Sequence, residues 1–542
     1  MKQTKQVECD KEAYLNLWLT RSQHWLSHGN FKRSILALKK ALKIAPDDVK
    51  IINNLSLLFS QTSQHSKALT LIDRAICHNP HYLNAYCSKA IALMGGFRFE
   101  EALDTIDYAI QLNSCFDKAM SLRGQILVRI KKYDEAIQAF ESAIKLNPLN
   151  EANYLELGFV LFELSQLQKA IFVFKHALQI NPHNSKSLVN LSTCYIESGQ
   201  LDLAIDSINH ALSITPDCID AQWNKAIVNL LQGDYARGLE SFASRKLKQD
   251  TQHHYRQLNP PLLKDIKSLD AEKTLYLYPE QGLGDFIQML RYIKPLEELG
   301  CQIILETPPE LIAITQMLVN ANTQLVNGIP EEKAYDFQCP IMDLMAIFLN
   351  HNLYQSQQLP YIRVTREKIN HWSQQLGPKT KPRIGIAWSS ATQFRYDKQR
   401  SLKFSEFKAC LPENMFDVIC LQKVIKDEDK TEFEAHGKIS FFGNTFNDFS
   451  DTAALIECLD VVITTCTSIA HLSAAMNKPT WILLKHTPDW RWQMNQATTP
   501  WYPAMRLYRQ AVPYDWSSVL VQIRNDLVMQ IQNIKFFDGS RH

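Results

Sequence analysis

The chain has 542 residues, with 58 Lys and Arg against 56 Asp and Glu, a formal charge of +2 and 46% hydrophobic residues. That length exceeds a single core and predicts two or three domains, while the near-neutral balance excludes a global field that draws in nucleic acid or a membrane surface. Twelve cysteines without a C-x-x-C pair suit buried thiols in a reducing compartment better than a disulfide frame or zinc site. The start, Met1 to Asp10, is charged and has no apolar core, so no secretory signal is expected. No run of about 18 apolar residues occurs; the best, Val461 to Met476, carries several threonines and His471. A cytoplasmic protein without a membrane span is the expectation.

Alanines then recur at Ala41, Ala75, Ala109, Ala143, Ala177 and Ala211, each 34 residues after the last. A second small-residue column reads Ser34, Ala68, Ala102, Ala136, Ala170, Ala204 and Gly238, and a third Ser22, Ser56, Ala90, Gly124, Gly158, Ser192 and Ala226. Pro46, Pro80, Pro148, Pro182 and Pro216 close the units, with Ser114 the one interruption. Two short helices cannot bury their own apolar face, so such copies must stack. Small residues let the helices approach, and each proline ends a helix. Three columns in one phase resemble the tetratricopeptide repeat (TPR) family, over about seven copies in residues 11–245, which implies an α solenoid. Asn54, Asn190 and Asn224 share one repeat position on the first helix of their units. Their amides are candidates to bond the backbone of an extended peptide acceptor.

The period stops at Lys246. Residues 246–273 are polar, contain Asn259-Pro260-Pro261 and read as a connector. Short apolar runs then alternate with helical patterns: Thr274 to Pro279, Cys301 to Thr307, Thr323 to Asn327 and Tyr335 to Cys339, followed by Arg383 to Ser389, Asp417 to Leu421, Ile439 to Phe442, Val461 to Thr465 and Thr480 to Leu484. This alternation predicts two Rossmann-like halves, 274–378 and 379–535, with parallel sheets and a ligand crevice beyond the strands' carboxyl ends.

The turn Pro279-Glu280-Gln281-Gly282-Leu283-Gly284-Asp285 follows the first of these strands and opens a helix. Gly282 and Gly284 permit backbone approach to a ligand, and Asp285 is a candidate general base, with a helix cap as the alternative. After Thr465, Cys466-Thr467-Ser468 opens a second helix whose start, with His471 one turn inside, is a candidate diphosphate site; a lone helical histidine is more often structural. Lys379 to Lys403 holds seven basic residues and one acid. Ser389, Arg395, Lys398 and Arg400 there, with Gln422 and Lys423 after the next strand, are candidate pyrophosphate contacts or a solvated surface. Pro488-Asp489-Trp490-Arg491-Trp492 is a candidate for stacking on a sugar or base through Asp489, Trp490 and Arg491, or a packed closure.

From Thr274 to Trp516, the words E-Q-G-L-G-D, T-S-x-x-H-L and P-D-W-R-W resemble the heptosyltransferase-like glycosyltransferases of family nine. The overall plan is similar to O-GlcNAc transferases, which join TPR units to a GT-B pair. This resemblance implies a GT-B region and transfer of a sugar, with inversion, from a nucleotide sugar to a hydroxyl on a protein or glycan held by the TPR groove. By the same resemblance Asp285 matches the base, and the turn from Thr467 to His471 with the loop from Arg395 to Ser401 matches donor-binding positions. No cofactor or metal is expected beyond the nucleotide sugar as co-substrate, and the catalytic half is read as free of a D-x-D metal motif. Cys466 stands where the family usually has Asp, which keeps open the alternative of a TPR scaffold whose GT-B domain is inactive.

Overall fold

The computed structural model describes residues 2–248, 255–256, 258–331, 334–351, 359–390, 400–412 and 414–533. The chain divides into two compact units, Met1–Cys194 and Tyr195–His542.

In the first unit five helix pairs follow the 34-residue period. They are Lys2–Ser27 with Phe31–Ile44, Val49–Gln61 with His65–His78, Leu83–Gly95 with Phe99–Leu112, Asp117–Arg129 with Tyr133–Leu146, and Glu151–Glu163 with Leu167–Ile180. Helix Ser185–Glu197 follows in the chain, and the second unit continues with Leu201–Ile214, Ile219–Leu231 and Tyr235–Phe242. Ala41, Ala75, Ala109, Ala143, Ala177 and Ala211 are all fully buried, as close helix approach requires. A Cβ on Gly124 would lie 2.7 Å from the Phe140 ring, and one on Gly158 would lie 2.6 Å from that of Phe174. Where this column carries Ser56 or Ala90, the repeat equivalents of those phenylalanines are the smaller Ile72 and Ile106. A larger residue on one helix thus accompanies a smaller one on its partner, so the close-packed volume is conserved from repeat to repeat.

The turns inside the pairs keep the same clock. Gly29, Ser63, Phe97, Lys131, Ser165, Gly199 and Gly233 lie 34 residues apart, and all have positive φ between 58° and 83°. A left-handed residue ends a helix by letting its last carbonyls be satisfied.

The α/β part of the second unit has two parallel sheets. The first contains β1 (Thr274–Tyr278), β2 (Gln302–Glu306), β3 (Thr323–Val326) and β4 (Phe337–Pro340) in the order β3-β2-β1-β4. Thr274 pairs with Gln302 on one side, and Leu275 with Phe337 on the other. The second contains β5 (Arg383–Ala387), β6 (Asp417–Cys420), β7 (Ile439–Phe441), β8 (Val461–Thr465), β9 (Thr480–Leu484) and β10 (Met505–Arg509) in the order β10-β9-β8-β5-β6-β7. Ile384 pairs with both Val418 and Val461. Strands β5, β8 and β9 are buried at every residue, as expected of parallel strands covered on both faces. An α solenoid followed by an α/β region is therefore the architecture. Nine strands fall on the expected runs. The tenth, β10, is an edge strand in which Arg506 and Arg509 are not buried, so it lacks the apolar run by which the others are legible.

In each sheet the strand order reverses beside the first strand, between β1 and β4 and between β5 and β8. Ligands of open α/β sheets bind at such switch points, beyond the carboxyl ends of the strands. The core beneath the second one gathers Ile384, Ile386, Trp388, Phe404, Phe433, Ile463, Trp481 and Leu483.

Candidate active site

The turn after β1 leads into helix Leu283–Met289, and the turn after β8 into helix Ser468–Ala475. The two helices meet: a Cβ on Gly284 would lie 2.8 Å from His471 Cδ2 and 3.4 Å from Ser468 Cα. Gly284 is therefore required by helix packing, whereas the sequence offered it as room for a ligand. Gly282 has an ordinary φ of −70°, and a Cβ there would meet the Asp285 carboxylate at 3.3 Å. From Val461 to Ala475 all residues are buried except Cys466, Thr467 and Ser468, so solvent reaches this segment at the turn.

Asp285 does cap its own helix, its Oδ2 accepting the Gly282 N–H at 2.9 Å. Its Oδ1 also accepts from Arg491 Nη2. Arg491 Nη1 donates to both oxygens of Asp489 at 2.9 and 3.0 Å, and its Nε donates to Gln288 Oε1. One guanidinium, 4% exposed, thus stands between two carboxylates. Burial pushes the Asp285 carboxyl above its usual range, with Arg491 and the Gly282 N–H opposing. Burial also acts upward on Asp489, but the charge and hydrogen bonds of Arg491 outweigh it and leave this carboxyl low. Two carboxylates separated in proton affinity around a fixed cation form an acid–base arrangement, and Asp285 is the member suited to accept a proton.

The other expected sugar or base contacts take the packed alternative. Trp490 is buried, 6.1 Å from the Phe242 ring and 6.3 Å from that of Trp501, and the Arg491 guanidinium covers it at 4.3 Å. Asp489 and Arg491 hold each other.

His471 is buried, with Nδ1 3.1 Å from the Tyr502 hydroxyl and its ring 5.3 Å from that of Trp492. Burial, reinforced by the charge of Arg491, brings its pKa down to about 3, so the ring is neutral. It braces the two helices and supplies no cation to a phosphate. Trp492 Nε1 donates to Cys466 Sγ at 3.2 Å, and burial pushes that thiol up to about 11. Cys466 is thus a neutral acceptor close to Asp489, where a second carboxylate would add like charge.

At the carboxyl ends of β5 and β6, Gln422 Oε1 accepts from the Trp388 and Ser389 N–H groups at 2.8 and 3.1 Å, and its Nε2 donates to Ser389 Oγ at 3.2 Å. Both side chains are buried and tie the ends of β5 and β6 together. Lys423 is exposed, with Nζ 3.5 Å from the Asn447 carbonyl. Arg400 Nη2 donates to Ser390 Oγ at 3.4 Å, and its charge acts on the Cys466 thiol. Arg395 and Lys398 lie outside the described residues. Thr467 Oγ1 bonds with Thr464 Oγ1 at 3.2 Å and does not cap the helix that follows. Among the described residues, the start of that helix and the Arg400 guanidinium are positive groups beside this turn.

Two sequence expectations need correction or refinement. A D-x-D triplet does occur, Asp427-Glu428-Asp429, but Asp429 is buried and accepts from Trp388 Nε1 at 2.7 Å and the Phe404 N–H at 2.8 Å, which commits it to the core. Within their units, Asn54 is exposed, Asn190 half-buried and Asn224 buried, so one repeat position does not present equivalent amides.

Sequence reasoning passed over Glu280, although it belongs to E-Q-G-L-G-D. Its carboxylate takes Arg245 Nε and Nη2 at 2.9 and 2.8 Å, the Met342 N–H at 3.0 Å and the Tyr255 hydroxyl at 2.5 Å. Arg245 also bonds Asp343 at 2.6 Å. This network fills the switch point between β1 and β4. Arg291 was missed as well: its guanidinium lies 3.3 Å from the Trp501 carbonyl and 4.9 Å from the Tyr502 ring, joining the first sheet's helices to the segment before β10.

A tetratricopeptide-repeat family model matches residues 161–230, and a TPR-repeat model matches residues 124–165. The N-terminal region carries TPR repeats. Solved structures similar to the chain include YrrB, described as a TPR protein with an unusual peptide-binding site, at 20% identity over 34% of this chain and 95% of that one, with a TM-score of 0.28. PilF of Pseudomonas aeruginosa is 18% identical over 39% of this chain and 97% of its own, with a TM-score of 0.33. A tetratricopeptide repeat protein of Parabacteroides merdae is 14% identical over 44% and 96%, with a TM-score of 0.35. No curated protein matches the chain. Among the described residues, no helix is long and apolar enough to cross a membrane.

Proposed function

We propose that the α/β region is a GT-B glycosyltransferase that moves a sugar from a nucleotide-diphosphate donor to a hydroxyl of a protein or glycan acceptor recruited by the repeats. The observation that carries this reading is the meeting of two strand-following turns, Gly282 to Asp285 and Cys466 to Ser468, through the contact of Gly284 with His471 and Ser468. It brings a carboxylate of raised proton affinity beside an uncapped helix start. In the reaction, Asp285 takes the acceptor's proton as the acceptor oxygen bonds to the anomeric carbon. The bond from that carbon to the diphosphate breaks, and the nucleoside diphosphate leaves with the electron pair. Arg400 and the helix N–H groups at Ser468 stabilise the departing charge. Calorimetry and turnover assays with UDP-, GDP- and ADP-sugars test the reading. Binding and transfer with one of them are expected, and neither heat nor turnover with any would end it.

A second reading, a TPR scaffold with an inactive α/β domain, is favoured by the engagement of Asp285 with both Arg491 and its own helix. Nucleotide-sugar binding without turnover, together with capture of a protein partner, would support it.

A further inference from the structure

The loop from Lys485 to Met494, which carries Asp489 and Arg491, contains one short turn of 3-10 helix, Trp490–Trp492, as its own regular structure. Much of its placement comes from the last repeats, within the second unit. At one end Lys485 Nζ bonds both carboxylate oxygens of Glu197 at 2.9 and 2.8 Å, and Thr487 Oγ1 donates to the Glu197 carbonyl at 3.1 Å. At the other end the Met494 N–H donates to the Leu231 carbonyl at 3.0 Å, and Gln493 Nε2 donates to the Tyr235 hydroxyl at 3.0 Å.

Between these tethers the loop lies against two repeat turns. A Cβ on Gly199 would be 3.0 Å from His486 Nε2 and 3.3 Å from Met494 Cε, and one on Gly233 would be 2.8 Å from Gln493 Nε2. The His486 ring cannot simply swing aside, because its Nδ1 is held 3.1 Å from the Gln510 carbonyl. The same left-handed position in other repeats tolerates Ser63, Phe97, Lys131 and Ser165. Glycine at 199 and 233 therefore answers to close approach of the loop in addition to φ. Gly29 shares the conformation, but its Cβ position is clear to 4 Å.

We infer that Glu197, Gly199, Leu231, Gly233 and Tyr235 are positioning residues for Arg491, so that the last two repeats form part of the frame of the catalytic site as well as of the solenoid. Its catalytic consequence rests on the transferase reading: a displaced loop withdraws Arg491 from Asp285 and removes the cation that restrains the carboxyl's affinity for a proton.

The test compares the full chain with Gly199→Ala/Gly233→Ala and, as a control for left-handed backbone strain alone, Gly29→Ala. Hydrogen exchange of peptides spanning 485–494 is expected to rise in the double variant and not in the control. On the nucleotide sugar that the parent turns over, kcat should fall roughly tenfold to a hundredfold with KM for the donor little changed. The acid limb of its pH profile should move, because the displaced loop takes both the Arg491 cation and the Asp489 carboxylate away from Asp285 and changes its burial. Unchanged exchange across 485–494 overturns the inference whether or not turnover exists, as does raised exchange with an unmoved acid limb. If the parent turns over no nucleotide sugar while exchange rises as stated, the transferase reading fails and the positioning by the repeats stands.

Discussion

The carboxylate of Asp285 and the guanidinium of Arg491, 206 positions apart in the chain, form an ion pair that joins the turn after β1 to the loop after β9. Arg491 cannot satisfy Asp285 alone, since it holds Asp489 and Gln288 as well. Burial, with the nearby Asp489 carboxylate adding to it, raises the proton affinity of Asp285 in spite of this cationic neighbour.

Asp285→Asn removes the proton acceptor and keeps the side chain's shape. Turnover should fall on the order of a hundredfold to ten-thousandfold while nucleotide affinity is retained. Initial rates set beside calorimetric titration check this; loss of affinity together with rate would assign Asp285 to folding or donor binding.

His471 gives stability a dependence on pH. Below its ordinary value of 6.5 the unfolded chain's histidine takes up a proton that the folded chain refuses down to about 3, so stability falls as pH falls through that window. The effect is on the order of several kcal/mol over the full range. Urea unfolding at pH 7.5 and pH 5 should show a larger loss for the parent than for His471→Gln, and equal losses would refute a buried neutral ring.

Gly284→Ala and Gly282→Ala separate packing from chain flexibility. The first forces a methyl group to 2.8 Å from His471 and should destabilise by about 1–3 kcal/mol. The second meets the end of a side chain at 3.3 Å, has an ordinary φ, and should cost less. Chemical denaturation ranks them, and a reversed order would contradict the close contact between the two helices.

Gly124→Ala should destabilise the repeats through the Phe140 ring, and Phe140→Ile in the same chain should recover part of the loss, as in the repeats that pair Ser56 with Ile72 and Ala90 with Ile106. A double-mutant cycle should yield a coupling of about 0.5–3 kcal/mol. Additive effects would mean that the two positions do not share one volume.

The repeats and most strands were legible because their cause is local. A 34-residue recurrence of small residues forces helix pairs, and unbroken β-branched runs such as Val461 to Thr465 have few alternatives to a buried strand. Asp285 and the turn from Cys466 to Ser468 could be singled out for the same reason, as each follows a predicted strand. Strand β10 escaped because arginines at an edge leave no apolar run.

Roles that depend on a neighbour far along the chain required the fold. From sequence, His471 could serve a phosphate or the core; 6% exposure and the Tyr502 hydroxyl place it in the core. Trp490 could stack on a sugar, but Phe242 and Trp501 enclose it. Glu280 looked like one letter of a motif until Arg245 and Asp343 came beside it. Periodicity and composition are one-dimensional and determine which elements form, whereas protonation, enclosure and ion pairing follow from what surrounds a side chain in three dimensions. The tertiary structure alone therefore decided that one arginine joins Asp285 to Asp489.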